Sequence, residues 1–184
     1  MGDVNATVDV AQPLTTVYNQ WTQFEEFPRF MQGVEEVVQE DDTTLRWRAQ
    51  IAGVERTWRA KITEQDPDRG IAWQSTEGTR NNGRVTFKSL GPNTTRVFLV
   101  LDLEPKDFVE KAGEALGFID RRAQGDLDRF REFIESRSNE TGAWRGEISG
   151  GEVDGGGPSP SETPAEVDPE GSNVPDPKDE SLRY

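Results

Sequence analysis

Asp126 is the residue whose type and position most directly suggest chemistry. At about 100° per residue it falls inside the apolar stripe of a helix predicted over Lys106–Arg137, between Ala115 and Ile119. A carboxylate that faces an apolar interior has a raised pKa and can act as a general acid or base. The alternative, which we favour, is an i,i+4 ion pair with Arg122 at the edge of the stripe.

Arg56 is a second candidate because it shares strand parity with Trp58, whose side chain is predicted to face inward. An inward guanidinium could hold a carboxylate or a phenolate of a bound molecule. The favoured alternative is an arginine at the end of a strand, beside Gly53, that reaches solvent. We therefore assign no catalytic residue from the sequence and keep Asp126 and Arg56 as candidates.

The chain of 184 residues contains no cysteine and no histidine. Disulfides, Cys/His zinc sites, thiol nucleophiles and the Ser-His-Asp arrangement all need one of these residues. Acid–base chemistry would fall to Asp, Glu, Lys, Tyr or water. We expect no metal and no cofactor.

Three tryptophans, Trp47, Trp58 and Trp73, have the parity of a buried strand face and could stack on a flat or apolar ligand. They could equally fill the core of a small sheet, because a concave sheet makes core and cavity wall the same surface. The predicted ligand-binding residues are these three tryptophans together with Arg56, Phe87, Leu116 and Ile119.

Strands and one long helix must position these residues. Apolar residues alternate with polar ones in Thr44–Ile51 and in Glu55–Gln65, which predicts antiparallel strands with one buried and one wet face. Two short helices, Thr15–Phe24 and Glu25–Met31, follow a first strand at Asn5–Val10. The other predicted strands are Val34–Glu40, Ile71–Thr76, Gly83–Leu90 and Arg96–Glu104. This order predicts an α+β fold with the helices on one face of the sheet.

Composition divides the chain into a domain over 1–148 and an acidic Pro/Gly-rich tail over 149–184. The tail holds 6 of the 11 prolines, and we predict that it is disordered because it cannot bury enough apolar surface to offset chain entropy. One aromatic residue, Trp144, follows the long helix. We predict that its segment docks back onto the domain as a clasp; the alternative is a short partner-binding motif that leads into the tail.

The formal net charge of −14 argues against nucleic acid as a partner. No apolar run approaches the about 20 residues that span a bilayer, and the first residues do not have the pattern of a signal peptide. The expected location is therefore the cytoplasm.

Several segments together resemble a known bacterial family. They are EEFPRFM at 25–31, LRWRAQIAGVERTWRAKI at 45–62, and DLDRFREFIESR at 126–137 followed by ETGAWRGEI at 140–148. They resemble the polyketide cyclase/dehydrase-like branch of the START-like (SRPBCC) superfamily over residues 4–148. The resemblance implies a helix-grip fold, in which a curved antiparallel sheet of about seven strands wraps a long C-terminal helix and leaves a cavity between them.

Three functions follow as hypotheses. The first is non-catalytic binding of a small apolar or aromatic molecule, lipid-like or polyketide-like, in that cavity. The second is a polyketide cyclase or aromatase, in which Asp126, Arg56 or water moves protons. The third is an interaction protein that recruits a protein partner through the acidic tail.

Overall fold

The computed structural model describes residues 2–104 and 112–154, with side chains in the second range described from Gly117 onward. The helices are α1 Leu14–Trp21, a 3-10 helix at Phe24–Arg29, and α2 Ala112–Glu135. The strands are β1 Gly2–Val10, β2 Val34–Gln39, β3 Thr44–Ile51, β4 Val54–Asp66, β5 Gly70–Gly78, β6 Asn81–Gly91, β7 Thr94–Leu103, β8 Glu147–Ser149 and β9 Glu152–Asp154.

Seven of these strands form one antiparallel sheet in the order β1-β7-β6-β5-β4-β3-β2. Consecutive strands from β2 to β7 pair as hairpins, and β1 closes the far edge by pairing with β7. The register of β4 against β5 shifts between Arg59 and Ala60 and again between Ile62 and Glu64. Such bulges bend a strand. The prediction of an α+β fold, with a sheet of about seven strands and a long C-terminal helix, is confirmed.

The apolar stripe of α2 packs against the sheet as the helical period predicts. Ile119, Ala123, Leu127, Phe130 and Ile134 follow one another at steps of three and four, and each is 4% exposed or less. The last three of them are fully buried. Among the described side chains of the α2 stripe, those of the C-terminal half are therefore the most completely buried.

Helix α2 also covers the free edge of β1 through side-chain hydrogen bonds. Gln124 accepts from the N–H of Thr7 at 3.3 Å and donates to the Thr7 carbonyl at 3.0 Å. Glu135 accepts from the N–H of Ala11 at 2.7 Å. These side chains satisfy backbone groups that an edge strand otherwise leaves open.

Aromatic residues from α1 and the 3-10 helix fill the space between α2 and the sheet. Trp21 makes edge-to-face contacts with Phe27 and Phe130, at ring-centroid distances of 5.4 and 5.0 Å. Phe30 contacts Phe130 at 5.3 Å. These contacts fix the two short helices over the C-terminal half of α2.

The segment after α2 docks against α1, as predicted for Trp144. Gln20 is fully buried and pairs with Thr141, accepting from its N–H at 2.9 Å and donating to its hydroxyl at 3.0 Å. Thr22 is also buried, and its hydroxyl accepts from the N–H of Trp144 at 3.0 Å. Buried Asn19 accepts from Arg145 at 2.7 Å. We call residues 139–149 the clasp.

The clasp ends in a small hairpin that extends the edge of β4. Ile148, which is 2% exposed, pairs with Gln65, and the N–H of Gly151 donates to the Thr63 carbonyl at 2.9 Å. Strand β8 therefore crosses the predicted boundary at 148, and β9 continues to Asp154. The rest of the predicted tail lies outside the described residues. Among the described helices, none is long and apolar enough to cross a membrane.

These contacts predict that the clasp is required for stability. Ending the chain after Arg137 removes the partners of three buried polar side chains and the burial of Ile148. Since each lost hydrogen bond contributes about 0.5–1.5 kcal/mol and a buried isoleucine about 1.5–3 kcal/mol, we expect the free energy of unfolding to fall by about 3 kcal/mol or more. Urea denaturation measures this change.

The matched control is the chain ended after Asp154, which keeps the whole clasp and its hairpin. Equal free energies of unfolding for the two truncated proteins would contradict a structural role for the clasp.

Candidate functional site

A cavity of about 120 Å³ lies between the inner face of the sheet and α2. Its described lining contains three polar residues, Asn81, Arg122 and Asp126. The apolar lining residues are Trp21, Phe24, Phe27, Met31, Val34, Leu45, Trp47, Ala49, Ile51, Trp58, Ala60, Ile62, Ile71, Trp73, Leu99, Leu101, Leu103, Phe118, Ile119 and Ala123.

Large and small side chains alternate along the strands that form the wall. Trp47 of β3 lies opposite Trp58 of β4, while Leu45 lies opposite Ala60 in the same pair of strands. Ala49 and Ala60 are each 1% exposed and reach no further than their Cβ atoms. Because these alanines stand beside large aromatic residues, space remains that no side chain fills.

Trp47 and Trp58 stack on each other across the β3–β4 pair, with ring centroids 5.6 Å apart and planes inclined by 8°. Phe27 of the 3-10 helix contacts the Trp47 ring edge-to-face at 5.7 Å. The two indoles thus form one rigid part of the cavity wall. Both side chains lie on the inner face of the sheet, as their alternation with polar residues in the sequence predicted.

Strands β5 and β6 diverge beside the cavity. They pair over Gly70–Trp73, after which β5 continues along β4 and β6 along β7. Side chains bridge the gap: the Trp73 indole N–H donates to Asn81 at 3.2 Å, and the N–H of Ser75 donates to Asn82 at 2.9 Å. The indole N–H of Trp73 and the backbone N–H of Ser75 therefore already have partners at this end of the cavity.

Charged residues of α2 lie at another part of the wall, beside the segment that follows the 3-10 helix. The Asp126 Oδ1 atom accepts from the N–H of Gln32 at 2.8 Å and from Nη2 of Arg129. Arg129 also donates through Nε to the Phe30 carbonyl at 2.9 Å. Arg122 donates through Nη2 to the carbonyl of Gln32. We call Arg122, Asp126 and Arg129 the charged cluster.

Arg122 packs against a glycine in this segment. Gly33 has φ of +77°, and a Cβ atom there would lie 2.3 Å from the Gln50 carbonyl oxygen and 2.7 Å from Nη2 of Arg122. A side chain at this position would clash with both groups and strain the backbone. Gly33 therefore permits the close approach of this segment to the Gln50 backbone and leaves room for the Arg122 guanidinium beside it.

Burial shifts the pKa of two residues of the charged cluster, Asp126 and Arg122. The Asp126 side chain is 14% exposed, and its burial raises the pKa of the carboxyl above the ordinary value of 3.8. The hydrogen bond from the Gln32 N–H and the positive charges of Arg129 and Arg122 lower the pKa, but they offset the effect of burial only in part. Burial also lowers the pKa of Arg122, an effect that Asp126 opposes and Arg129 increases. The sequence correctly placed Asp126 in the apolar stripe, but its ion-pair partner is Arg129, three residues later, instead of Arg122.

The structure brings together most of the predicted ligand-binding residues. Trp47, Trp58, Trp73 and Ile119 line the cavity, as does the candidate Asp126. Leu116 lies within α2, but its side chain is outside the described residues.

Two predicted residues do not line the cavity. Phe87 faces inward at 7% exposure, but α1 covers this part of β6, and the Phe87 ring packs edge-to-face against Tyr18 at 5.5 Å and Trp21 at 6.0 Å. Arg56 lies opposite Ala49, three residues beyond the β3–β4 turn, and its Nε atom is buried without a hydrogen-bond partner among the described residues. Its guanidinium is not part of the cavity lining.

Sequence reasoning missed several lining residues. Arg122 had a signal, since it lies four residues before Asp126, but we treated it only as an ion-pair partner. Asn81 lies between the predicted strands Ile71–Thr76 and Gly83–Leu90, in a polar, glycine-flanked segment whose composition favours a hairpin turn and which could lie at the mouth of the cavity. Among the described residues, no group of three or more Asp or Glu side chains could hold a metal ion.

Comparison with known proteins agrees with this architecture. The family described as "Polyketide cyclase / dehydrase and lipid transport" matches residues 10–131. An uncharacterized 17.2 kDa protein of Streptomyces lincolnensis is 46% identical over 149 residues, which cover 80% of this chain and 99% of that protein.

Solved structures share the fold at lower sequence identity. The Zhui aromatase/cyclase from Streptomyces sp. R1128 is 22% identical with a TM-score of 0.62, covering 78% of this chain and 99% of its own. A START superfamily protein from Mycobacterium smegmatis is 22% identical with a TM-score of 0.57, covering 73% of this chain and 95% of its own. At such identities the likeness concerns the fold alone. The match over residues 10–131 and the Streptomyces lincolnensis relative show that the chain belongs to the polyketide cyclase/dehydrase and lipid transport family.

Proposed function

We propose that the protein binds a small apolar or aromatic molecule in the cavity between α2 and the sheet, without transforming it. The observation that supports this most strongly is the lining, in which three of the described residues are polar and the rest are apolar. Burial of an apolar ligand against such walls is favourable by about 25 cal/mol for each Å² removed from water.

The cavity volume indicates the size of the ligand. An engineered apolar protein cavity of roughly 150 Å³ binds benzene, whereas pockets for drug-sized molecules span about 300–1,000 Å³. At about 120 Å³, the cavity matches a single ring or a short alkyl group. The rigid Trp47–Trp58 stack on one wall also favours a flat ligand.

A cyclase or aromatase is the second candidate, and Asp126 is the residue that favours it. Its raised pKa is the property expected of a general acid or base in an apolar site. Two observations weigh against this activity: the cavity is small for a substrate with several fused rings, and the Asp126 Oδ1 atom already accepts two hydrogen bonds. We therefore place binding first.

Narrowing the cavity should weaken binding. Ala49→Val extends a side chain into the cavity, so we expect the free energy of unfolding to rise by about 0.5–2 kcal/mol and the affinity for toluene to fall about tenfold or more. Titration with toluene, followed by tryptophan emission, measures the affinity. Anthracene serves as the size control and should not bind.

The matched control is Ala6→Val. Ala6 is 3% exposed on β1 but does not line the cavity, so this substitution should cost about 1–3 kcal/mol through overpacking and leave toluene affinity unchanged. The proposal is wrong if the wild-type protein shows no saturable response to toluene, or if both variants bind it equally.

The pH dependence of stability tests whether burial dominates at Asp126. A folded-state pKa raised above the unfolded value means that the folded protein binds the proton more tightly. Relative to the Asp126→Asn variant, the wild-type protein should therefore gain stability as pH falls from 7 towards 3.8. Urea denaturation of both proteins across this range gives the difference.

If the ion pair with Arg129 dominated instead, the pKa would be depressed and the wild-type protein would lose stability relative to the variant as pH falls. That result would remove the basis for acid–base chemistry at Asp126.

A further inference from the structure

The charged cluster carries unequal numbers of positive and negative groups at the cavity wall. Arg122 and Asp126 are the charged residues in the described lining, and Arg129 lies one turn beyond. Two guanidinium groups thus face one carboxylate. The charge left at this end of an otherwise apolar cavity is positive.

Asp126 and Arg129 are engaged with each other and with the protein backbone. Asp126 accepts from the N–H of Gln32 at 2.8 Å and from Arg129, while Arg129 donates to the Phe30 carbonyl at 2.9 Å. These bonds hold the carboxylate and its partner cation at the wall. They also reduce the repulsion that Asp126 would exert on an anion in the cavity.

Among the described contacts, Arg122 is the arginine of the cluster that donates the fewest hydrogen bonds. A guanidinium has five N–H groups, and Arg122 is seen to donate to one acceptor, the carbonyl of Gln32. No carboxylate among the side chains that the structure describes lies within ion-pair distance of it. A half-buried guanidinium binds a carboxylate through charge-assisted hydrogen bonds, and its planar fork matches the two carboxylate oxygens.

Asn81, the other polar residue of the described lining, competes only weakly for such a group because its amide is neutral. The Trp73 indole N–H is already donated to Asn81, and the neighbouring Asn82 accepts from the backbone of Ser75. The apolar ring of a ligand can therefore lie against Trp47 and Trp58, with its charged group directed to α2.

We propose that the ligand is a small aromatic acid of about one ring, whose carboxylate is bound by Arg122 while its ring occupies the apolar part of the cavity. This inference rests on the proposed binding function and adds the chemical class of the ligand. It makes Arg122 the residue that determines specificity.

The test compares benzoate with benzamide at neutral pH, because the two have the same shape and differ in charge. Isothermal titration of the wild-type protein should give an affinity for benzoate about tenfold or more above that for benzamide. In Arg122→Gln the two affinities should fall within about threefold of each other, and Arg122→Lys should restore part of the preference.

Arg121→Gln is the matched control, since Arg121 is the adjacent, exposed arginine and its removal changes the net charge equally. This variant should keep the wild-type preference. The ratio of benzoate to benzamide affinity in the wild-type protein tests the carboxylate inference by itself, so the test does not depend on the folding of a variant. If benzamide binds as tightly as benzoate, the carboxylate inference is wrong while the binding function stands; if neither compound nor toluene binds, both are wrong.

Discussion

The structure depends on the hydrogen bonds of the charged side chains that α2 brings into an apolar interior. Arg122, Asp126 and Arg129 lie on the side of the helix that faces the protein, where uncompensated charge would be costly. Their partners are the backbone groups of Phe30 and Gln32, and these bonds fix the helix against the segment that follows the 3-10 helix. Towards its C-terminus α2 packs through Leu127, Phe130 and Ile134, which are fully buried. Held by the charged cluster and by this packing, the helix cannot move onto the alanines of β3 and β4, and the cavity remains.

The parts of the fold and site that the sequence could predict are those that follow from the period of a strand or a helix. The inward parity of Trp47 and Trp58 follows from a period of two residues, and the buried stripe of α2 follows from the helical period, so both were correctly predicted. Phe87 has the same inward parity but belongs to the core, because strand parity does not reveal that α1, instead of the cavity, covers that part of β6. Asp126 was correctly placed within the stripe, but helical spacing alone does not distinguish a partner at i−4 from one at i+3. Arg122 donates to the carbonyl of Gln32, a residue distant in sequence, instead of forming an ion pair with Asp126.

Two further features had no signal in local pattern. The divergence of β5 and β6 brings Asn81 to the cavity, although the segment around it has the composition of a turn. The hairpin of β8 and β9 continues past the residue at which composition changes, because pairing between Ile148 and Gln65 is a long-range contact. Long-range contacts, more than element types, limited the prediction. The clasp was predictable only because Trp144 is an isolated aromatic residue in a polar segment.

Membership of a family whose description includes both cyclases and lipid transport leaves the activity to be decided by the cavity itself. Binding without catalysis is favoured by the apolar walls and the small volume of the cavity. It is also favoured because the Asp126 Oδ1 atom already accepts two hydrogen bonds. Under the proposed carboxylate binding, the positive end of the cavity selects among small aromatic ligands. The Arg–Glu pairs on the outer face of the sheet, such as that between Arg59 and Glu40 at 2.8 Å, are partly exposed to solvent and lie away from the cavity lining.

The central claim is that an apolar cavity is maintained between α2 and the sheet, and xenon tests it most directly because this gas binds in dry apolar protein cavities. A crystal of the protein pressurised with xenon should show an anomalous peak enclosed by Trp47, Trp58, Ala49 and Ile119. The account is contradicted if no xenon binds there and the side chains of Trp47 and Trp58 lie directly against α2.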